Sequence, residues 1–210
     1  QETTAKSEIK ETISNSTAPI VELTQDEKYE QDIILAMNNE DYSESLKKTK
    51  LLIKSGNPKG YTFLALHHVF GYGVKKDISK ALNYYQTALK KKDFQAASGL
   101  GHLFYSAEMY PQALHFFNLG AKNGDLWSYI YLSDMYQKGL GVKKDMQKVI
   151  EYDTLLADRG LLDYARFIGI YWTGYYKNNL GITPEPNKSL AAKYLTIAAK
   201  QNDAQALAIL

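Results

Sequence analysis

A seven-residue motif that occurs twice constrains the fold of this chain more than any other feature. Residues 71–77 read GYGVKKD, and residues 139–145, which lie 68 positions later, read GLGVKKD. Both copies stand between an aromatic-rich stretch and a stretch that ends in small apolar residues. A unit that recurs every 20 to 50 residues or so is typical of solenoids. The sequence therefore predicts a repeat array, and since solenoids rarely perform chemistry, the biological role stays open.

The glycines and aspartates of the motif have a direct physical interpretation. Gly71 and Gly139 follow a predicted helix, where a left-handed residue releases the last carbonyl groups, and glycine adopts that conformation without steric cost. Asp77 and Asp145 precede the next predicted helix and can accept hydrogen bonds from its free amide groups. The motif thus predicts a tight connection between two antiparallel helices.

Turn signals divide the rest of the chain into helical pairs. Residues 1–24 carry eight Ser or Thr and no aromatic residue, so we expect a flexible N-terminal arm. Residues 25–58 are predicted to form a degenerate capping pair, identified by position alone. Residues 59–210 are predicted to form the repeat array, with units at about 59–93, 94–125, 126–160 and 161–203 and a partial unit at 204–210. Aromatic side chains are expected to fill the core between these helices, namely Tyr84, Tyr85, Phe104, Phe116, Phe117, Tyr136 and Trp172.

Composition and charge exclude several classes of function. The net charge is only +2, which gives no indication of a nucleic-acid partner. There is no Cys, so disulfides, thiolate metal sites and Cys nucleophiles are excluded, and no apolar run is long enough to span a membrane. The chain begins with Gln1, from which we expect an exported protein of a bacterial periplasm or envelope. The cytoplasm, or the endoplasmic-reticulum lumen of a eukaryote, is the alternative.

The repeated units resemble the Sel-1-like repeats, relatives of the tetratricopeptide repeats. The second pair matches the family pattern at Leu64, Gly71, Gly73, Val74, Asp77, Lys80, Ala81, Tyr84, Tyr85 and Ala88. The fourth pair matches it at Leu132, Tyr136, Gly139, Gly141, Val142, Asp145, Lys148, Tyr152, Ala157 and Gly160. The third pair lacks four loop residues, and the fifth carries about six inserted residues. The resemblance implies a right-handed, all-α solenoid that binds proteins and has no enzymatic activity.

In tetratricopeptide-type stacks the first helix of each pair lines the concave surface. Residues that lie off the core stripe of these helices are therefore predicted to form a groove for a peptide or partner protein, namely Thr62, Leu66, Phe70, His102, Tyr105, Trp127, Asp134 and Arg166. An alternative is that Leu66 and Phe70 only pack against the neighbouring repeat. An insertion follows the first helix of the fifth pair. It is either a second contact surface, at Tyr175, Tyr176 and Lys177, or a tolerated surface loop.

Two function classes stay open from the sequence. The first is an adaptor or scaffold that holds a partner in the groove, and the second is a structural subunit that stacks through its terminal helices on itself or on further repeats. No catalytic, metal or cofactor motif is present. His67 and His68 are adjacent on a helix, so their side chains diverge by about 100 degrees and cannot chelate one metal.

Overall fold

The computed structural model describes residues 22–174 and 185–210. Within these ranges the chain is all-α and contains no strand, which confirms the predicted solenoid of antiparallel helix pairs. The helices are α1 Gln25–Asn38, α2 Tyr42–Lys54, α3 Lys59–Phe70, α4 Ile78–Lys90, α5 Gln95–Ser106, α6 Tyr110–Lys122, α7 Leu126–Lys138, α8 Met146–Asp158, α9 Leu162–Trp172, α10 Lys188–Ala199 and α11 Ala204–Ile209. None of them is long and apolar enough to cross a bilayer. The arm predicted at residues 1–24 lies almost wholly outside the described ranges.

Each helix packs against the next one along the chain, and first helices also touch each other. α3 contacts α5, α5 contacts α7, and α9 contacts α11. The helices α3, α5 and α7 therefore form one continuous layer, and their partners α4, α6 and α8 form the opposite layer. This arrangement gives the protein one face built only from first helices.

The two copies of the glycine motif adopt the same turn. Gly71 and Gly139 are left-handed, with φ of 79° and 76°, and each closes the helix before it. Asp77 and Asp145 accept hydrogen bonds from the third residue of the following helix, at 2.9 Å and 3.2 Å. Both predictions from the motif are confirmed.

The second glycine of each motif packs on the preceding helix pair. A Cβ atom at Gly73 would lie 3.0 Å from the carbonyl oxygen of Tyr42, and one at Gly141 would lie 2.7 Å from the Cβ of Tyr110. The glycine is required because a side chain would collide with the start of the neighbouring second helix. Tyr42 and Tyr110 are themselves 68 residues apart.

The 68-residue period therefore includes the first helix pair, which has no sequence motif. Its turn contains Glu40 with φ of 59°, and the third pair has Glu108 with φ of 58° at the equivalent position. Among the first four pairs, those with a short turn alternate with those with a long glycine turn. The first pair is thus the structural counterpart of the third.

The core is a continuous series of small and aromatic side chains between the helix layers. Alanines such as Ala65, Ala88 and Ala96 are fully buried and allow close helix contact. Of the aromatic residues predicted in the core, Tyr85 and Phe117 are buried. The other five are half-buried and pack against the core clusters, namely Tyr84, Phe104, Phe116, Tyr136 and Trp172.

Candidate functional site

The face formed by the first helices carries an open groove of about 470 Å³. It is lined mainly by α3, α5 and α7, with Ile34 of α1 at one end. Five of the eight predicted groove residues line it, namely Thr62, Leu66, Phe70, His102 and Trp127. We call this surface the concave groove and define it by these five residues together with Ile34, Lys59, Phe63, Val69, Tyr85, Gln95, Ser98, Gly99, Leu103, Asp125 and Tyr131.

Helical spacing places the groove side chains in rows. On each first helix, two groove residues are four positions apart and therefore lie on the same side of the helix. The pairs are Leu66 and Phe70 on α3, Ser98 and His102 on α5, and Trp127 and Tyr131 on α7. Phe70 is 52% exposed and Trp127 is 64% exposed, whereas Leu66 is half-buried. Large apolar side chains therefore stand at the rim of the groove, accessible to a partner.

The charged groups that border the groove are already paired within the protein. The Nζ of Lys59 lies 2.6 Å from Oε2 of Glu30, and Oδ2 of Asp125 accepts the Ser128 amide at 2.7 Å. Burial lowers the pKa of His102, so its imidazole is neutral at pH 7. The groove consequently presents an apolar surface without an unpaired cation.

Thr62 lines the groove but uses its hydroxyl inside the array. Its Oγ1 donates to the buried Asp93 at 2.5 Å, and the other carboxylate oxygen of Asp93 accepts the Gln95 amide at the start of α5. This hydrogen bond ties α3 to α5. Thr62 can offer a partner its methyl group and the remaining acceptor capacity of its oxygen.

The other three predicted groove residues lie outside the groove. The Tyr105 hydroxyl donates to Asp134 at 2.6 Å, and Asp134 also pairs with Lys138 at 2.6 Å. Burial raises the pKa of Tyr105, so the hydroxyl stays protonated and donates. These contacts tie α5 to α7, and the contribution of Tyr105 and Asp134 to partner binding stays a prediction.

Arg166 is also engaged within the chain. Its guanidinium contacts Asp163 at 2.7 Å and the buried Asp203 at 2.6 Å. Asp203 is the N-cap of α11, so the ion pair joins α9 to the next first helix. Arg166 stays a prediction as a partner contact. The proposed edge residues Tyr175, Tyr176 and Lys177 lie outside the described part of the chain.

One groove residue, Tyr85, has a place that the sequence did not indicate. Tyr85, expected in the core, also lines the groove, although it belongs to the second helix α4. It reaches the groove because Gly99 on α5 leaves space for its ring; a Cβ atom at Gly99 would lie 2.4 Å from the ring. The signal in the sequence was a glycine in the interior of a predicted helix, which is unfavourable unless another group packs closely there.

No metal centre is formed by the residues that the structure describes, since they contain no group of three or more suitable ligands. His67 is fully buried, with Nδ1 2.6 Å from the Tyr72 carbonyl oxygen and Nε2 3.1 Å from the Ser45 hydroxyl. Burial lowers the pKa of His67, so the neutral ring joins α2, α3 and the glycine turn. Its role is in packing these elements together.

Two curated relatives match part of the chain. It is 24% identical over 134 residues to an uncharacterised protein of Neisseria meningitidis serogroup B, covering 64% of this chain and 28% of that protein. It is 32% identical over 100 residues to HRD3B of Arabidopsis thaliana, an ERAD-associated E3 ubiquitin-protein ligase component, covering 45% of this chain and 15% of that protein. The chain therefore spans less than a third of either relative.

Two solved structures share the fold. A Sel1 repeat protein of Oxalobacter formigenes superposes with a TM-score of 0.66 at 22% identity, covering 92% of this chain and 80% of that one. A protective antigen of uropathogenic Escherichia coli with an SLR fold superposes with a TM-score of 0.62 at 21% identity, covering 79% of this chain and 35% of that one. At these identities the likeness concerns the fold alone.

The family model named Sel1 repeat matches residues 58–93, 95–125, 128–160 and 168–203, which is more than half of the chain. The first of these ranges contains α3 and α4 with their glycine turn, and the third contains the second copy of that turn. Sel1 repeats are commonly protein–protein interaction modules. The sequence match, the alternating helix pairs and the two identical turns show that the chain belongs to the Sel1 repeat family.

Proposed function

We propose that this protein is a non-enzymatic interaction module, an adaptor or scaffold that holds a peptide or partner protein in the concave groove. The groove itself carries the proposal. Five independently predicted side chains converge on one surface of about 470 Å³, which is within the range of about 300 to 1,000 Å³ of binding sites for small molecules.

The side chains at the rim are of the type that dominates binding energy. Trp127 and Phe70 combine a large apolar area with high exposure, and aromatic anchors account for much of the free energy of association at interfaces. Leu66 and Val69 form the apolar wall between them. A partner segment that covers these residues would remove the most exposed part of the groove from water.

The test is selection of short linear peptides from a displayed library on the full chain, followed by calorimetry with the synthetic peptide. Trp127→Ala is expected to weaken binding by about tenfold or more, as is typical of an aromatic hot spot. Leu155→Ala is the matched control, since Leu155 is a 39% exposed apolar residue on α8 that does not line the groove. Equal effects of the two substitutions, or no enrichment of any peptide, would contradict the proposal.

A second candidate is a structural role through stacking at α11. This short helix packs on α9 and α10 and leaves Leu207 56% exposed and Leu210 60% exposed. A further helix, of this chain or of a second copy, would cover both side chains. Sedimentation of the full chain tests this: concentration-dependent self-association that Leu207→Lys abolishes favours the subunit, and a monomer at all concentrations argues against self-stacking.

A location outside the cytoplasm is also proposed. The support is the relation to a component of endoplasmic-reticulum-associated degradation in Arabidopsis thaliana, which covers 45% of this chain. Fractionation of the native cells with an antibody against the chain checks it. Recovery only with the cytosol would contradict an exported protein.

A further inference from the structure

One polar group at the floor of the concave groove has no hydrogen-bond partner among the residues that the structure describes. Tyr85 is 2% exposed and extends from α4, between the first helices, to the groove. Its phenol end lies over Gly99, where an added Cβ would come within 2.4 Å of both Cε1 and Cζ. The ring is therefore held firmly, and the hydroxyl has a fixed position at the floor.

The Tyr85 hydroxyl makes no hydrogen bond with any residue that the structure describes. Burial raises the pKa of this phenol, so it is a protonated donor at every physiological pH. Two other tyrosine hydroxyls do have an acceptor: Tyr105 donates to Asp134, and Tyr129 donates to the Ala121 carbonyl oxygen. Among the described residues, the fully buried side-chain atom without a partner is Ser128 Oγ, so the Tyr85 oxygen still meets solvent from the groove. An incoming acceptor would replace that solvent contact with a direct hydrogen bond.

The equivalent position 68 residues later has a partner. There Asp153 replaces Tyr85 and accepts the Ser133 hydroxyl at 2.6 Å. The residue equivalent to Ser133 in the earlier repeat is Ala65, which has no polar side chain. Tyr85, which lines the groove, therefore lacks the kind of internal hydrogen-bond partner that Asp153 has.

Charge around the groove restricts the acceptor that Tyr85 can meet. Lys59 is paired with Glu30, and the only carboxylate at the α7 end, Asp125, caps that helix. A carboxylate or phosphate of a partner would therefore find no free cation among the described groove residues and would face Asp125. A neutral carbonyl oxygen flanked by apolar side chains fits the surface.

We propose that Tyr85 is a specificity-determining donor that binds a backbone carbonyl oxygen of an uncharged, apolar peptide segment lying across Leu66, Phe70 and Trp127. This inference rests on the proposed groove function and names the chemistry of its partner. Acidic and phosphorylated peptides are disfavoured, because the described groove residues offer no free cation to pair with them and place Asp125 beside them.

The test uses the full chain and the peptide that the displayed library selects. Tyr85→Phe keeps the ring against Gly99 and removes only the oxygen, so the fold is retained. Tyr84→Phe is the matched control, because Tyr84 is the adjacent residue on α4, stacks on His68 and does not line the groove. We expect Tyr85→Phe to weaken binding by about tenfold and Tyr84→Phe to leave it unchanged.

A second measurement identifies the acceptor on the peptide. Each carbonyl oxygen is replaced in turn by sulfur, a weak acceptor, and binding is measured to the original chain and to Tyr85→Phe. One position is expected to lose affinity with the original chain and not with Tyr85→Phe, which is the signature of a direct pair in a double-mutant cycle. Selected peptides are expected to be apolar and without charge at the centre.

The outcomes separate this inference from the function on which it rests. If Trp127→Ala weakens binding and Tyr85→Phe does not, the groove function stands and the donor role of Tyr85 is wrong. Enrichment of acidic or phosphorylated peptides would also overturn the inference. If no peptide binds, or Trp127→Ala has no effect, the groove function itself fails.

Discussion

The α3–α4 unit and the α7–α8 unit share one turn and differ in what their interiors contain. Both turns have a left-handed glycine at the end of the first helix and an aspartate cap on the second. In the first unit the first helix contains the fully buried His67, and its equivalent in the second unit is Met135, which is also fully buried. The backbone geometry is conserved between the units while the interior chemistry is not.

The exchange of Tyr85 for Asp153 shows how the interiors diverge. Tyr85 is accommodated by Gly99, whereas the smaller Asp153 has Phe167 at the position equivalent to Gly99. Large and small residues have changed places at these two positions, as close packing of a core favours. In the turn, contacts of single atoms limit which residue fits. In the core, the total volume and the available hydrogen-bond partners set that limit.

The largest effect is expected at the second glycine of the turn. Gly141→Ala should lower the free energy of unfolding by about 3 kcal/mol, because Gly141 has φ of 68° and an added Cβ would lie 2.7 Å from that of Tyr110. Gly73→Ala should cost less, since its nearest contact is at 3.0 Å. Urea denaturation followed by circular dichroism measures both.

Gly124→Ala is the control for the glycine comparison. Gly124 also has a positive φ, of 79°, but an added Cβ would meet no atom within 4 Å. Its substitution should cost about 1 kcal/mol from backbone strain alone. An equal loss at Gly124 and Gly141 would show that close approach to the neighbouring helix does not matter.

An intermediate effect is expected in the second unit at Asp153. Burial raises the pKa of this carboxyl to about 6, so the group is mostly ionised at pH 7 and its buried charge costs free energy in the folded state. Asp153→Asn removes the buried charge and should raise stability at pH 7 by about 1 kcal/mol, with the unpaired amide protons offsetting part of the gain. Ser133→Ala should have the opposite sign, because the carboxylate loses its donor. If Asp153→Asn is less stable than the original chain at pH 7, the claim that the buried charge is destabilising is wrong.

The two units should respond to pH in opposite directions. The pKa of His67 is lowered from 6.5 in the folded state, so the unfolded chain binds a proton that the folded chain rejects, and stability falls as pH falls through about 6.5. Asp153 has its pKa raised from 3.8 to about 6, so the folded chain holds a proton that the unfolded chain has lost, and stability rises as pH falls from 6 towards 4.

Hydrogen exchange, corrected for the intrinsic rate at each pH, separates the two responses by position. On acidification from pH 7 to pH 5, amides of α2 and α3 should exchange faster and those of α7 and α8 should exchange more slowly. The matched variants are His67→Met, which carries the residue of the second unit, and Asp153→Asn. Each substitution should abolish the pH-dependent change in exchange rate in its own unit only. A uniform change along the chain would contradict the assignment of the two responses to His67 and Asp153.

The smallest effect is expected at the two caps. Asp77→Ala and Asp145→Ala each remove the side-chain hydrogen bond that caps a helix start, so both should lower the thermal midpoint slightly and by similar amounts. Asn at either position restores an acceptor and should recover most of the loss. A clearly larger loss at one cap would show that the two turns are not equivalent.

The fold was predictable from the sequence because turn residues act locally. A glycine after a helix and an aspartate before the next one impose their geometry within a few residues, and Gly71 and Asp77 do so here. The first pair was predicted by position alone, and its equivalence to the third pair was missed, because Glu40 adopts φ of 59° without being glycine.

The groove was predictable in part. Counting helix faces correctly placed Leu66, Phe70 and Trp127 on one surface. It did not show that Arg166 would meet Asp203, 37 residues away, since pairing of charges depends on the stacking of separate repeats. It also assigned Tyr85 to the core alone, because the space above Gly99 becomes visible only when two helices are packed.

The groove is the central claim, and hydrogen exchange of the full chain with and without the selected peptide tests it most directly. We predict that exchange slows most in α3, α5 and α7, with the largest change around Leu66 and Trp127. Exchange that slows most in α6 and α8, or at α11 alone, would place the partner on another face and contradict the account.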